Sequence, residues 1–140
     1  MADVKPPSQA TMGIASSALR AQQLRMRVIA ENIANANSTA RAPGGDPYRR
    51  QVPIFREQRV ADGGAGVAMI RAEPDRSDFR LEYEPGHPAA DAKGYVKTPN
   101  VDPLVEALDM REAQRAYEAN LNVIETARSM ESRTLDILKK

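Results

Sequence analysis

The sequence predicts a mainly α-helical protein in which a small β-rich insert separates an N-terminal helix from a long C-terminal helix. Beyond Pro103 the chain contains neither proline nor glycine. Apolar and small residues recur there every three or four positions, which is typical of one face of a helix. Seven of the eight glycines and seven of the ten prolines lie instead between positions 38 and 101, where turns and short strands are expected.

Composition favours a single domain with a modest core. The chain has 140 residues, no tryptophan and only 4% aromatic residues. Its net charge of +1 gives no overall indication of a nucleic-acid partner, and the lack of cysteine excludes disulfides and thiolate chemistry. Charge is nevertheless uneven, with nine basic and four acidic residues in positions 1–60. This asymmetry fits association with copies or relatives, and equally a mixed solvated surface.

A flexible lead is expected over residues 1–11, followed by a helix over residues 12–37 with Thr11 as its cap. Alanine is frequent on the apolar side of this helix, which suits close packing against another helix. The simplest partner is the C-terminal helix, so we expect the two to pair as a coiled coil. Asn35 and Asn37 fit a helix cap, whereas Asn32 fits either a cap or a register-fixing hydrogen bond between helices.

The insert is expected to span residues 38–101. Tyr48–Val60 and Val67–Ile70, separated by a glycine-rich turn, predict a hairpin. Alternation of Phe79, Leu81 and Tyr83 with charged residues predicts a half-buried strand. The turn at Pro85-Gly86 leaves a positive φ open to Gly86.

The last helix is expected over residues 102–140, with Asp102 as N-cap and Pro103 in the first turn. It would be roughly 55 Å long at 1.5 Å per residue. A chain of this size cannot cover such a helix by itself. We therefore expect the apolar seam of this helix to pack against other protein chains.

No catalytic, cofactor-binding or metal site is predicted, and no small-molecule substrate. The single histidine, His87, lies in a Pro-Gly-His-Pro loop without nearby residues at ligand or catalytic spacing. The glycine-rich segment at 63–66 lacks the lysine of a phosphate-binding loop. Five arginines at positions 41, 49, 50, 56 and 59 form a basic segment, for which acidic helix faces are favoured over nucleic acid.

Two stretches resemble the axial proteins of the bacterial flagellar rod and hook. Ala30–Thr39 is similar to the asparagine-rich helix end shared by that family, and Leu81–Val101 is similar to the signature of a proximal-rod member. The resemblance covers about residues 12–140.

The resemblance implies a structural subunit, not an enzyme, that polymerises into the proximal rod and transmits motor torque. It implies export through the flagellar type III apparatus without a cleaved signal peptide, and a periplasmic location in the basal body. The implied partners are copies of this chain and other proximal-rod proteins, with the basal-body rings and export gate nearby. The terminal helices of neighbouring subunits would pack together in a tube.

The seam positions of both helices are the predicted assembly residues. They are Ile14, Ala18, Val28, Ile29, Asn32, Ile33, Asn35, Tyr117, Val123, Ile124, Ala127 and Met130. An alternative from another class is a helical-bundle adaptor whose basic insert binds an acidic or nucleic-acid partner.

Overall fold

A computed structural model describes residues 7–139 and has the predicted architecture of two helices around a small strand insert. No helix in this range is both long and apolar enough to cross a membrane. The elements in chain order are α1 Pro7–Ala34, β1 Gln51–Arg59, β2 Ala65–Pro74, β3 Arg80–Tyr83, β4 Tyr95–Thr98 and α2 Pro103–Leu138.

The start of α2 confirms the predicted cap. The backbone N–H of Leu104 donates to Asp102 Oδ1 at 3.0 Å, and the N–H of Glu106 donates to the Asp102 carbonyl at 3.0 Å. The first of these bonds satisfies one of the donors left unpaired at a helix N-terminus, and the second is the first regular hydrogen bond of the helix. Pro103 follows at a position where its missing N–H costs nothing.

The start of α1 differs from the prediction. The helix begins at Pro7, not at residue 12, because proline fits the first helical turn as well here as in α2. Thr11 is not a cap, since its hydroxyl donates to the Pro7 carbonyl one turn back at 3.0 Å. The predicted lead over 1–11 is therefore wrong for residues 7–11, and positions 1–6 lie outside the described residues.

The chain divides into two compact units. Among the described residues, the first contains 7–26, 54–71 and 112–139. In it the helices run antiparallel, since Pro7 and Thr11 line a groove with Met130 while Arg25 pairs with Glu112 at 3.4 Å. Its buried helix positions are small residues, which let backbones approach closely. They are Ala15, Ser17, Ala21, Ala113 and Ala127.

Strands β1 and β2 form a hairpin, as predicted. At its tip the Val60 N–H donates to the Gly64 carbonyl at 3.3 Å. At its base the Asp75 N–H donates to the Arg50 carbonyl at 2.8 Å. The pairing of both ends shows that the strands are antiparallel.

The second unit contains residues 27–53 and 72–111, including a two-stranded antiparallel sheet of β3 and β4. Tyr83 lies opposite Tyr95, with ring centroids 5.3 Å apart in an edge-to-face arrangement. The prediction that this strand is half-buried is wrong, because Leu81 is 61% and Tyr83 65% exposed. Side chains alternate between the faces of a sheet, and here the face bearing Val96 is the buried one.

The glycine that needs a positive φ is also not the predicted one. Gly86 does not have a positive φ, and a Cβ there would meet open space. Gly94 has a φ of 86°, and a Cβ there would lie 3.0 Å from Tyr83 Cε2 and 3.1 Å from Pro85 Cβ. The residue with the left-handed backbone is therefore Gly94, which follows the Pro85-Gly86 turn and packs against Tyr83 of the tyrosine pair.

Replacing Gly94 by alanine should therefore lower the free energy of unfolding by about 1–2 kcal/mol or more, because the left-handed backbone is strained by a Cβ. Gly86→Ala is the matched control and should change it by less than about 1 kcal/mol. Urea unfolding followed by circular dichroism measures both. Equal stability of the two variants would contradict the assignment.

Candidate assembly interface

A cluster of polar side chains joins the two helices and the base of the hairpin within the second unit. Its members, called the polar node below, are Asn32, Tyr48, Arg50, Asp75 and Glu106. Glu106 is fully buried in the first turn of α2, and Arg50 Nε donates to its Oε1. A second guanidinium nitrogen of Arg50 donates to Asp75 Oδ2 at 3.2 Å. The buried carboxylate is thus neutralised at close range.

Asn32 supplies the link to α1. Its side-chain amide donates to the Gln51 carbonyl at 2.9 Å and to Glu106 Oε2 at 3.3 Å. Its Oδ1 accepts from the Gln51 N–H at 2.9 Å and from the Tyr48 hydroxyl at 2.7 Å. An amide can make four such bonds, so this buried side chain is fully satisfied. Of the two predicted roles for Asn32, the hydrogen bond between helices is the one observed.

The node stabilises the ionised forms of Arg50 and Asp75. Burial opposes the charge of Arg50, but hydrogen bonds and charges from Glu106 and Asp75 outweigh it and raise the pKa of the guanidinium. A backbone hydrogen bond from Ser77, opposed by partial burial and aided by Arg50, lowers the pKa of Asp75. Burial raises the pKa of Tyr48, and negative charge from Glu31 and Glu106 adds to the effect. Tyr48 therefore stays a hydrogen-bond donor.

The predicted basic segment is partly consumed by these contacts. Arg49 lies over the Phe79 ring at 4.1 Å and donates to the carbonyls of Asp75 and Ser77 at 2.8 and 2.9 Å. Arg50 belongs to the node. Two of the five arginines thus bind within the chain, whereas Arg41, Arg56 and Arg59 are exposed. The contacts of Arg49 and Arg50 count against a basic surface for an acidic or nucleic-acid partner.

The predicted seam residues fall into three groups by burial. Val28, Ile29, Asn32 and Ala127 are buried inside the chain. Half-buried positions are Ala18, Asn35, Tyr117 and Ile124. The exposed positions are Ile14, Ile33, Val123 and Met130. Three of the twelve predicted seam residues, Val123, Ala127 and Met130, line one groove of about 400 Å³. The first turn of α1 lines the same groove.

One side of α2 carries exposed large apolar residues, some of which the seam prediction missed. Leu104 is 69% and Leu108 58% exposed, and Val123, Met130 and Ile137 are also exposed. At 3.6 residues per turn these five positions fall within an arc of about 100°. Leu104 and Leu108 lie four residues apart, a spacing that could have indicated a second apolar stripe. Within the described part of the chain these apolar side chains are only partly covered.

Two family models match the chain. The model described as "Flagella basal body rod protein" matches residues 12–42, and "Flagellar basal body rod FlgEFG protein C-terminal" matches residues 92–137. The first match contains the asparagine-rich stretch, and the second contains all of α2 but its last residue.

Curated relatives match nearly the whole chain. The flagellar basal-body rod protein FlgC of Agrobacterium fabrum is 48% identical over 136 residues, covering 95% of this chain and 96% of the relative. The FlgC of Escherichia coli O157:H7 is 44% identical over 126 residues, covering 89% and 92%. That of Bacillus subtilis is 37% identical over 145 residues, covering 92% and 97%. These matches confirm the resemblance carried by Ala30–Thr39 and Leu81–Val101.

Breaking the node should destabilise the fold more than breaking an exposed pair. Glu106→Ala leaves Arg50 without its main partner and should lower the free energy of unfolding by about 3 kcal/mol. Glu112→Gln, which removes the exposed partner of Arg25, should cost about 0–1 kcal/mol. Chemical unfolding of both variants tests this, and equal losses would show that the node does not anchor the fold.

The node also predicts a dependence on acid. Because the folded-state pKa of Asp75 is lowered, its carboxylate stabilises the fold above the unfolded-state pKa of about 4, and this contribution is lost as the pH falls below it. When the pH is lowered from about 5 to about 3, the free energy of unfolding should fall less in the Asp75→Asn variant than in the unaltered chain. Parallel acid losses in the two proteins would contradict the assignment.

Proposed function

Because the chain belongs to the FlgC family of flagellar basal-body rod proteins, we propose that it polymerises into the proximal rod and transmits motor torque there. It is a structural subunit of the basal-body rod, and its relatives are structural proteins and not enzymes. What the family does not specify is how this chain contacts its neighbours.

The observation that carries the polymerisation proposal is the exposed apolar side of α2. Met130 is 62% exposed in the chain, and Leu104 and Leu108 are similarly open. An exposed apolar stripe of this length on a subunit of an assembly marks a contact surface. Val123 and Met130, with Ile14 and Ile33 of α1, are the predicted seam residues still available to a neighbour. The buried Val28, Ile29, Asn32 and Ala127 instead hold each subunit together.

In the rod these surfaces would pack against copies of the chain and other proximal-rod proteins, as coiled coils between terminal helices. Apolar burial supplies about 25 cal/mol per Å², so a stripe of exposed aliphatic side chains adds several kcal/mol per subunit. Torque is then transmitted through packed interfaces without covalent chemistry. The basal-body rings and the export gate would lie nearby.

The location follows from the same proposal. A proximal-rod subunit acts in the periplasm and reaches it through the flagellar type III apparatus without a cleaved signal peptide. Lack of cysteine suits that route, because an unfolded chain in transit then forms no stray disulfides. The adaptor alternative is disfavoured, because the family is structural and Arg49 and Arg50 bind inside the chain.

Charge placed on the exposed stripe should block assembly and spare the monomer. Met130→Glu should lower the free energy of unfolding by less than about 1 kcal/mol, because the side chain is exposed. In the rod it would forfeit about 1.5–3 kcal/mol of apolar burial at every copy and add a desolvation cost.

Ser132→Glu is the matched control, since it adds the same charge to an exposed residue on the opposite side of α2 from Met130. Both variants are expressed in cells lacking the native protein, and swimming and the yield of isolated basal bodies are measured. Loss of rods with Met130→Glu alone is the expected result. Normal rods with Met130→Glu would remove this side of α2 from the interface.

A further inference from the structure

The face of the β3–β4 sheet opposite Val96 carries exposed aromatic and aliphatic side chains. Leu81 is 61%, Tyr83 65% and Tyr95 41% exposed. These three residues, called the tyrosine patch below, share one face, because Tyr83 lies directly opposite Tyr95 and Leu81 lies two residues from Tyr83. The chain has only four tyrosines and two phenylalanines, so a third of its aromatic residues meet on this exposed surface.

The turn between the two strands fixes the position of the tyrosine patch. Asp91 Oδ1 accepts the N–H groups of Lys93 and Tyr95 at 2.8 and 3.0 Å, and the Glu84 N–H donates to the Gly94 carbonyl at 2.9 Å. The two rings also support each other in their edge-to-face contact. Because these side chains are held before a partner binds, covering them costs little conformational entropy. Tyrosines are frequent among the residues that contribute most to protein–protein binding.

Carboxylates lie along the same strand. Glu82 and Glu84 alternate with the patch residues Leu81 and Tyr83, and both are exposed. In the described sheet β3 pairs with β4 alone, so a partner that approaches its free edge can contact side chains from both faces. Neither carboxylate forms an ion pair with another residue of the range 7–139. Arg80 is the only basic residue in positions 80–84, so this segment carries a net negative charge.

The N-terminal part of α2 carries the opposite charge beside exposed leucines. Leu104, Leu108, Arg111 and Arg115 are all exposed and, at 3.6 residues per turn, fall within an arc of about 60°. We call these four residues the basic stripe. Neither arginine forms an ion pair among the described residues. The one acidic residue between the two arginines in sequence, Glu112, is bonded to an arginine of α1 instead.

We propose that the tyrosine patch of one subunit binds the basic stripe of a second copy of this chain in the rod. In this contact the leucines of the stripe cover the two rings, and Arg111 and Arg115 pair with Glu82 and Glu84. A guanidinium is also attracted to the face of a tyrosine ring. Apolar and charged groups of the two surfaces are thus complementary.

Size and connectivity fit this occupant. The basic stripe is about 17 Å long at 1.5 Å per residue, and residues 80–84 span about 13 Å at 3.3 Å per residue. Each copy carries both surfaces, so the chain itself supplies both halves of the contact. Because the surfaces differ, the contact is heterologous and can repeat from subunit to subunit along a polymer. The proposal rests on the proposed role as a rod subunit, and it names the partner of the exposed side of α2.

Chemical cross-linking tests the contact, because the chain has no cysteine of its own. Tyr83→Cys and Leu108→Cys are introduced into separate chains with different epitope tags, and the two chains are co-expressed in cells lacking the native protein. Both positions are exposed, so the fold of the subunit tolerates the changes. Ser132→Cys replaces Leu108→Cys in the control pair, since Ser132 is exposed on a distant part of α2.

Isolated basal bodies are treated with a short bismaleimide and analysed by denaturing electrophoresis with detection of both tags. Cross-linked dimers that carry both tags should exceed those of the control pair by at least about tenfold, because a bound partner holds its cysteine at an effective concentration of about millimolar or more.

A charge exchange tests the same contact without cysteine. Glu84→Arg or Arg111→Glu alone should reduce the yield of basal bodies by at least about tenfold, because each change places like charges face to face. Both changes in one chain should restore the yield, since the pair forms again with its charges reversed. Glu84→Arg with Arg128→Glu is the matched control, because it has the same net charge but alters an exposed arginine outside the basic stripe. This control should not restore the yield.

Rods that contain both cysteine variants but give dimers only at the control level would overturn the pairing and leave the rod function intact. If the cysteine variants form no rods, the charge exchange decides: restored yield supports the pairing, and equal yields from the exchange and its control overturn it. Basal bodies that contain none of the unaltered chain would refute the rod function, and the pairing with it.

Discussion

The buried pair of Arg50 and Glu106 is the interaction on which the second unit depends. Glu106 has no access to water, so its charge is stable only because Arg50 and the Asn32 amide contact it. Since these side chains come from α2, the base of the hairpin and α1, the bonds fix the register of three elements at once. A pair of leucines could fill the same space but would tolerate sliding, whereas a hydrogen-bonded charge does not.

The rest of the chain leaves much of its apolar surface exposed, and we propose that neighbouring subunits cover it. With two phenylalanines, no tryptophan and alanine at four of the five buried helix positions described in the first unit, the chain cannot form a large core. Small residues bring α1 and α2 together, and the larger aliphatic side chains Leu104, Leu108 and Met130 remain outside. A monomer that had to be stable alone would bury them. On the proposed function, a rod subunit keeps them exposed for contacts that are made only in the polymer.

Much of this architecture could be predicted from sequence, because it depends on local chemistry. The positions of proline and glycine were enough to predict where the insert and α2 lie. The cap at Asp102 was predicted from its carboxylate, which can accept a hydrogen bond from the helix N-terminus. What could not be predicted depends on tertiary contacts. Alternation in β3 indicated a strand, but the apolar side of that strand turned out to face water, since Val96 of the neighbouring strand occupies the inner face. Glu106 lies seven residues before the buried Ala113, which places the two residues on the same face of α2, two turns apart. This spacing could have predicted that Glu106 is buried.

The most direct test of the proposed interface is an electron cryomicroscopy map of isolated basal bodies in which this chain can be traced. In such a map we expect Leu104, Leu108 and Met130 of α2 to be buried against neighbouring subunits of the rod, with Arg50 and Glu106 paired inside each copy. A rod in which that side of α2 faces solvent, or a neighbouring chain occupies the place of Arg50, would contradict it.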